Sequence, residues 1–145
     1  MITVDRSALV AHSAQNMYAL VADVESYPQF LPWCDRAVVS VNEPGRTIAT
    51  LHINFRGLKK QFTTENFNRP GARIDMTLMS GPFRSLEGSW AFTALSENAC
   101  KVELSLRYQF ASKLIQKIAG TTFQDIMDTF VDAFVRRADE KFGSA

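Results

Sequence analysis

The chain has 145 residues, 46% of them hydrophobic and 11% aromatic, a length that fits one domain around one core and leaves no room for a second. Sixteen Lys and Arg against fifteen Asp and Glu give a formal charge of +1, which excludes the strongly basic footprint of a dedicated DNA binder but leaves local basic patches open. Eleven Phe, two Trp, three Tyr and five Met exceed what a bare core of this size needs, so an apolar cavity competes with plain core filling as the use of that mass.

Ile2 to Val10 alternates apolar and polar residues and reads as a strand. It has neither the long apolar stretch nor the small-residue cleavage site of a signal peptide, and no run in the chain approaches the roughly 20 apolar residues that span a bilayer. Ser13 can cap a helix from Ala14 to about Val24, with Met17, Leu20, Val21 and Val24 as its apolar stripe. A short second helix follows, with Pro28 in its first turn behind Ser26 and Tyr27 and with Pro32 as its stop.

From Arg36 to Ala111 the period changes to two. Turn chemistry breaks it at Asn42-Glu43-Pro44-Gly45, Arg56-Gly57, Asn68-Arg69-Pro70-Gly71, Gly81-Pro82 and Ser96-Glu97-Asn98. Six strands fit between these breaks, and loops this short join only antiparallel neighbours, so the block is an expected meander. Its buried face carries Leu51, Ile53, Phe55, Phe62, Ile74, Met76, Leu78, Leu86, Trp90 and Phe92, then Val102, Leu104, Leu106, Tyr108 and Phe110. Lys60, Thr64 and Tyr108 are the polar exceptions on that face, while Lys59, Gln61, Glu65, Arg73, Asp75, Lys101, Glu103 and Arg107 take the solvated one.

The last segment, about Lys113 to Phe142, repeats apolar residues at helical spacing through Ile115, Ala119, Phe123, Ile126, Met127, Phe130, Phe134 and Ala138. Such a helix is about 45 Å long, enough to cross a whole sheet, and Gly120 is the one place for a kink or a separate first turn. Cys34 and Cys100 form no Cys-x-x-Cys and have no His placed to share a metal, so buried free thiols are expected. His12 and His52 are expected on the solvent side. With no inward acid or imidazole, no phosphate loop, no His-Glu-x-x-His and no nucleophile elbow, the residues give no catalytic constellation; no catalytic residue, catalytic cofactor or metal is expected.

The order strand, two helices, six strands, long helix is an α+β arrangement that resembles the helix-grip fold of START-like and Bet v 1-like proteins. Two segments make the resemblance specific: Asp23-Val24-Glu25-Ser26-Tyr27-Pro28-Gln29-Phe30-Leu31-Pro32-Trp33-Cys34, and Gly81-Pro82-Phe83-Arg84-Ser85-Leu86-Glu87-Gly88-Ser89-Trp90-Ala91-Phe92. Both are similar to hallmarks of the coenzyme Q-binding branch of the START-like, polyketide cyclase/dehydrase superfamily, and within it to bacterial RatA-type ribosome association toxins. The likeness covers essentially residues 1–145 as a single domain. It implies a curved antiparallel sheet of about seven strands around a long C-terminal helix, with a ligand cavity between them. Ubiquinone is the implied bound ligand, held for respiratory electron transport without chemistry on its ring. The alternative it implies is binding to the large ribosomal subunit that blocks subunit association and translation initiation. The chain starts directly on its first strand, with no transit peptide, so a bacterial cytoplasmic location is expected, with transient contact at the inner membrane.

The candidate ligand-binding residues are Phe30, Trp33, Phe62, Met76, Phe83, Trp90, Phe123, Met127 and Lys60. Tyr27, Phe30, Leu31 and Trp33 sit between two prolines and form either a flap over a cavity mouth or a plug at the end of the core. Gly88 leaves space among large neighbours, to be filled by the facing helix or by a ligand ring. Phe123, Met127 and Phe130 are either the opposite wall or ordinary core. Lys60 points inward by strand parity, so its ammonium either meets a quinone carbonyl or runs out to solvent. For a ribosomal partner the cations at hand are Arg56, Lys59 and Lys60 at one hairpin, and Arg136, Arg137 and Lys141 near the end of the last helix.

Overall fold

The computed structural model describes residues 1–143. Along the chain run β1 (Ile2–Val10), α1 (Ala14–Ala22), a 3-10 helix (Val24–Gln29), β2 (Cys34–Glu43), β3 (Arg46–Phe55), β4 (Leu58–Arg69), β5 (Arg73–Ser80), β6 (Phe83–Ser96), β7 (Ala99–Phe110) and α2 (Lys113–Phe142). The seven strands make one antiparallel sheet in the order β1-β7-β6-β5-β4-β3-β2. Strands β2 to β7 are thus the expected meander, and β1 joins at the far edge, with Val4 opposite Leu106 and Val10 opposite Cys100.

Turn residues explain the tight connections. Arg56 and Gly57 both have positive φ, 52° and 82°, the backbone that lets a two-residue loop follow the twist of β3 and β4. At the β5–β6 turn Gly81 has φ 148°, and a Cβ there would lie 2.6 Å from Cβ of Phe62, so a side chain at this position would push the turn off β4.

The Ser13 hydroxyl caps α1 by accepting the Asn16 N–H at 3.1 Å. The helix ends at Ala22, before the expected Val24, because Asp23 leaves helical geometry (φ −82°, ψ 68°) and the chain restarts as the 3-10 helix. Pro28 lies near the end of that helix and not in its first turn. Ser112 caps α2 in the same manner, accepting the Ile115 N–H at 3.1 Å. The helix is continuous for 30 residues through Gly120, so no separate first turn forms, and Gly143 closes it with φ 86°. Among the described residues no helix is long and apolar enough to cross a membrane.

Within the sheet, α2 packs against β1 and β7, and it also meets α1. Ala119, Phe123, Ile126, Val131, Phe134 and Ala138 are buried there, and along β7 every second residue from Cys100 to Phe110 is buried. On the other half of the inner face cover is thinner. Leu51, Phe62, Met76 and Leu78 remain half-buried, because the helix axis leaves the sheet uncovered at β3 to β5.

Both cysteines are buried and unbridged. His52 is half-buried on the outer face. His12 departs from expectation: it is 5% exposed, and its Nε2–H donates to Oδ1 of Asp139 at 2.7 Å. The last turns of α2 pass over the β1–α1 junction and cover the imidazole, a contact between residues 127 positions apart that local periodicity does not encode.

Candidate functional site

The void lies where α2 leaves the sheet. Val24 and Tyr27 of the 3-10 helix roof it; Ala49 and Leu51 of β3, Phe62, Thr64 and Asn66 of β4, and Met76 of β5 form its floor. Leu86 and Trp90 of β6 with Leu104 and Leu106 of β7 continue the floor, and Phe123, Met127 and Phe130 of α2 close the far wall. Its volume is about 60 Å³. A site that encloses a ring-sized ligand runs to about 300–1,000 Å³, so loading such a ligand requires the walls to move. Met76 and Met127 are suited to that, since an unbranched thioether turns about three bonds at little cost.

Of the residues named from the sequence, Phe62, Met76, Trp90, Phe123 and Met127 come together on this cavity. Phe83 stands one layer behind, its ring 5.8 Å from Phe62 and 5.3 Å from Phe123, so it supports two lining rings without reaching the void. Trp33 is buried on Phe130 at 5.6 Å and faces a separate groove with Pro32, Phe55 and Arg56. Phe30 lies outside the cavity, 5.1 Å from the ring of Phe134. Lys60 shares the inward parity of Phe62 but is exposed, in an open groove with Asp35, His52 and Lys59 at the end of the sheet. Among the described residues no carboxylate lines the cavity to compensate a buried ammonium, and the side chain accordingly runs to water.

The roof is latched to α2. The Phe30 ring packs on Phe134 while the guanidinium of Arg137 lies over its other side, 5.4 Å from the centroid. Arg137 also donates through Nη2 to Oε1 of Gln29 at 2.8 Å. Beneath the flap, the Tyr27 hydroxyl donates to the carbonyl of Val21 at 2.5 Å and ties the 3-10 helix to the end of α1. Burial, with Cys34 and Asp23 nearby, raises the Tyr27 pKa far above its ordinary value, so the phenol stays protonated. Among the described residues no Asp, Glu, His, Lys or Arg lines the void.

Apart from Tyr27, the polar side chains of the cavity lie on one strand. Thr64 and Asn66 are each 7% exposed, and the Thr64 hydroxyl donates to Oδ1 of Asn66 at 2.8 Å. Asn68, two residues on, donates through Nδ2 to the Thr47 hydroxyl at 2.9 Å and leads this polar row toward the rim. The sequence reading singled out Thr64 but not Asn66. Strand parity carries that signal, since Phe62, Thr64 and Asn66 alternate onto one face. The space at Gly88 is likewise settled: a Cβ there would meet Leu106 Cδ1 at 2.7 Å, Ser105 O at 2.9 Å and Met76 Cε at 3.3 Å. Sheet neighbours fill it, and neither α2 nor an open gap does.

Residues 10–135 match the family model described as "Polyketide cyclase / dehydrase and lipid transport". The chain is 44% identical over 143 residues to the ribosome association toxin RatA of Vibrio cholerae serotype O1, with 99% of each chain covered. It is 29% identical over 146 residues to the mitochondrial coenzyme Q-binding protein COQ10 homolog B of Xenopus laevis, covering 98% of this chain and 60% of that one. Among solved structures, the Zhui aromatase/cyclase of Streptomyces sp. R1128 superposes with a TM-score of 0.84 at 15% identity, over 99% of both chains, which is a likeness of fold. The seven-stranded sheet closed by one long helix, the cavity between them and the match over most of the length have one source: the chain belongs to the START-like polyketide cyclase/dehydrase and lipid transport family.

Proposed function

We propose that the domain binds a hydrophobic ligand, ubiquinone in particular, in the cavity under the 3-10 helix, and carries or presents it for respiratory electron transport without chemistry on the ring. The observation that carries this reading is the cavity itself, apolar but for Tyr27, Thr64 and Asn66, with no charged residue on its walls among the described residues and with a wall of Phe123, Met127 and Phe130 facing Trp90. The coenzyme Q-binding name of one relative supports the choice of quinone. Ligand entry involves release of the Phe30 latch and rotation of Met76 and Met127. Transient contact with an inner membrane has its own support in the first turns of α2, where Leu114 and Ile118 are 67% and 61% exposed beside Lys113 and Lys117. Organic extraction of purified protein followed by mass spectrometry tests the reading. Co-purifying quinone is the expected result; repeated absence of it, with no binding of added quinone, overturns the proposal.

A second reading, binding of the large ribosomal subunit with a block on subunit association, is supported by the ribosome association toxin name of relatives at 41–44% identity. Its contact residues would be Lys59 and Lys60, which are exposed and carry no ion pair among the described residues. Arg56 is less available because it pairs with Asp125, and Arg137 is engaged by Gln29 and Glu140. Cosedimentation with large subunits over a salt series decides it: binding that weakens with salt and is lost in Lys59→Glu/Lys60→Glu supports the reading, and no cofractionation at low salt removes it.

A further inference from the structure

From the Thr64–Asn66 pair we infer that the cavity recognises a carbonyl oxygen, with the side-chain amide of Asn66 as its donor, and that it prefers an uncharged, carbonyl-bearing apolar ligand to the same skeleton without a carbonyl. This rests on the hydrophobic-ligand reading above and specifies what that ligand presents to the wall.

Asn66 is more than nine-tenths buried on the inner face of β4, between Thr47 on β3 and Met76 on β5, and it lines the cavity together with Trp90 and Tyr27. Its Oδ1 accepts the Thr64 hydroxyl proton at 2.8 Å, which fixes the amide plane and turns Nδ2 away from Thr64. Among the described residues Nδ2 has no hydrogen-bond acceptor, while its neighbour two residues on, Asn68, has one in Thr47. An amide N–H that an apolar ligand covers and leaves unpaired is costly, so a ligand that brings an acceptor to Nδ2 is favoured over one of the same shape that does not.

The other polar groups on the wall narrow the chemistry. The Tyr27 hydroxyl proton is used on Val21 and the Thr64 proton on Asn66. The free donors of the cavity are therefore the two N–H bonds of Asn66, while the oxygens of Tyr27, Thr64 and Asn66 keep lone pairs. A carbonyl accepts and needs nothing in return. A carboxylate would arrive with a charge that no side chain here compensates. The sequence-based alternative for the same task, Lys60, is exposed outside the void.

The test compares three probes on the full chain, with quenching of tryptophan fluorescence as the readout of binding: a short-tailed benzoquinone, its quinol kept reduced, and a hydrocarbon with the same tail and a plain phenyl head. Asn66→Leu is expected to weaken the benzoquinone by roughly tenfold, the quinol by less, and the hydrocarbon by no more than about twofold. Thr64→Val, which frees the amide to rotate, is expected to fall between wild type and Asn66→Leu. Independently of any variant, the Asn66 side-chain NH₂ resonances of the wild-type protein shift on titration with the benzoquinone and stay in place with the hydrocarbon. Unchanged benzoquinone affinity in Asn66→Leu, or unmoved NH₂ resonances at saturation, overturns the inference while leaving the apolar-ligand reading intact. Failure of the wild-type chain to bind any of the three probes overturns that reading and this inference together.

Discussion

His12, at the junction of β1 and α1, donates from Nε2 to the carboxylate of Asp139 in the penultimate turn of α2 at 2.7 Å, joining two sites 127 residues apart. The imidazole is buried while the carboxylate is about half exposed, so the histidine side is shielded from water and the aspartate side is not. Phe142 completes the cover, its ring 6.0 Å from the imidazole. This contact fixes the C-terminal end of the one helix that closes the sheet.

Its removal has a local consequence. In His12→Ala the last two turns of α2 are expected to fray, seen as hydrogen exchange at residues 136–142 accelerated by about tenfold or more, while the amides of β6 and β7 keep their protection. Equal loss of protection throughout would show that the contact serves the whole fold and not the helix end.

Gly88 carries a steric prediction. Gly88→Ala places a methyl group 2.7 Å from Leu106 Cδ1 and 2.9 Å from the backbone oxygen of Ser105. The leucine can turn but the β7 backbone cannot, so a loss of about 1–3 kcal/mol is expected from denaturant titration. A variant as stable as wild type would mean that β6 and β7 part more easily than their unbroken pairing from Ser85 to Ala94 indicates.

Met127 is 3% exposed and forms part of the cavity wall. Met127→Ala is expected to lower stability by roughly 2–5 kcal/mol and to enlarge a void that is now about 60 Å³. If ligand entry is limited by wall volume, the same variant binds a short-tailed benzoquinone more tightly than wild type, as measured by titration calorimetry. Weaker binding would show that the thioether contacts the ligand instead of excluding it.

Two buried phenols predict opposite responses to the same substitution. Tyr27 donates to Val21 at 2.5 Å, so Tyr27→Phe leaves a buried carbonyl unpaired and should cost about 1–3 kcal/mol. Tyr108 is fully buried among Phe83, Phe110 and Phe123, and its hydroxyl has no partner among the described residues. Tyr108→Phe should therefore be neutral or stabilising by up to about 1 kcal/mol, with thermal denaturation of both variants as the comparison.

Alkaline pH should destabilise the protein through its thiols and phenols. Burial pushes the Cys34 thiol up to about 11, with the Asp35 charge acting in the same direction and a backbone hydrogen bond at Arg36 opposing it. An unfolded thiol titrates near ~8.5, so above that pH the unfolded chain binds fewer protons than the folded one and stability falls as pH rises toward about 11. The contribution is complete below about pH 8. Urea midpoints measured between pH 7 and pH 10 should fall, and fall less steeply in Cys34→Ala. At pH 8 roughly one Cys34 in a thousand is thiolate, so native-state alkylation should be about a hundredfold slower than in urea.

The sequence alone determined the element order, the inward face of β3 to β7 and the Ser13 cap of α1, because those depend on residues within a few positions of one another. Period two on β7 and period 3.6 on α2 follow from strand and helix geometry wherever the elements later dock. The direction in which α2 crosses the sheet is not local, and it decided the site. By lying over β1 and β7 it left the void above β3 to β5, so Phe62, Met76, Trp90, Phe123 and Met127 face it while Phe83, Phe30 and Trp33 support walls or roof. The same crossing covered His12, which no local pattern marked as buried. Asn66 shows the remaining gap between the two levels: its parity was legible in the chain, but only the packed sheet established that a polar amide stands on an apolar wall with its donor unpaired.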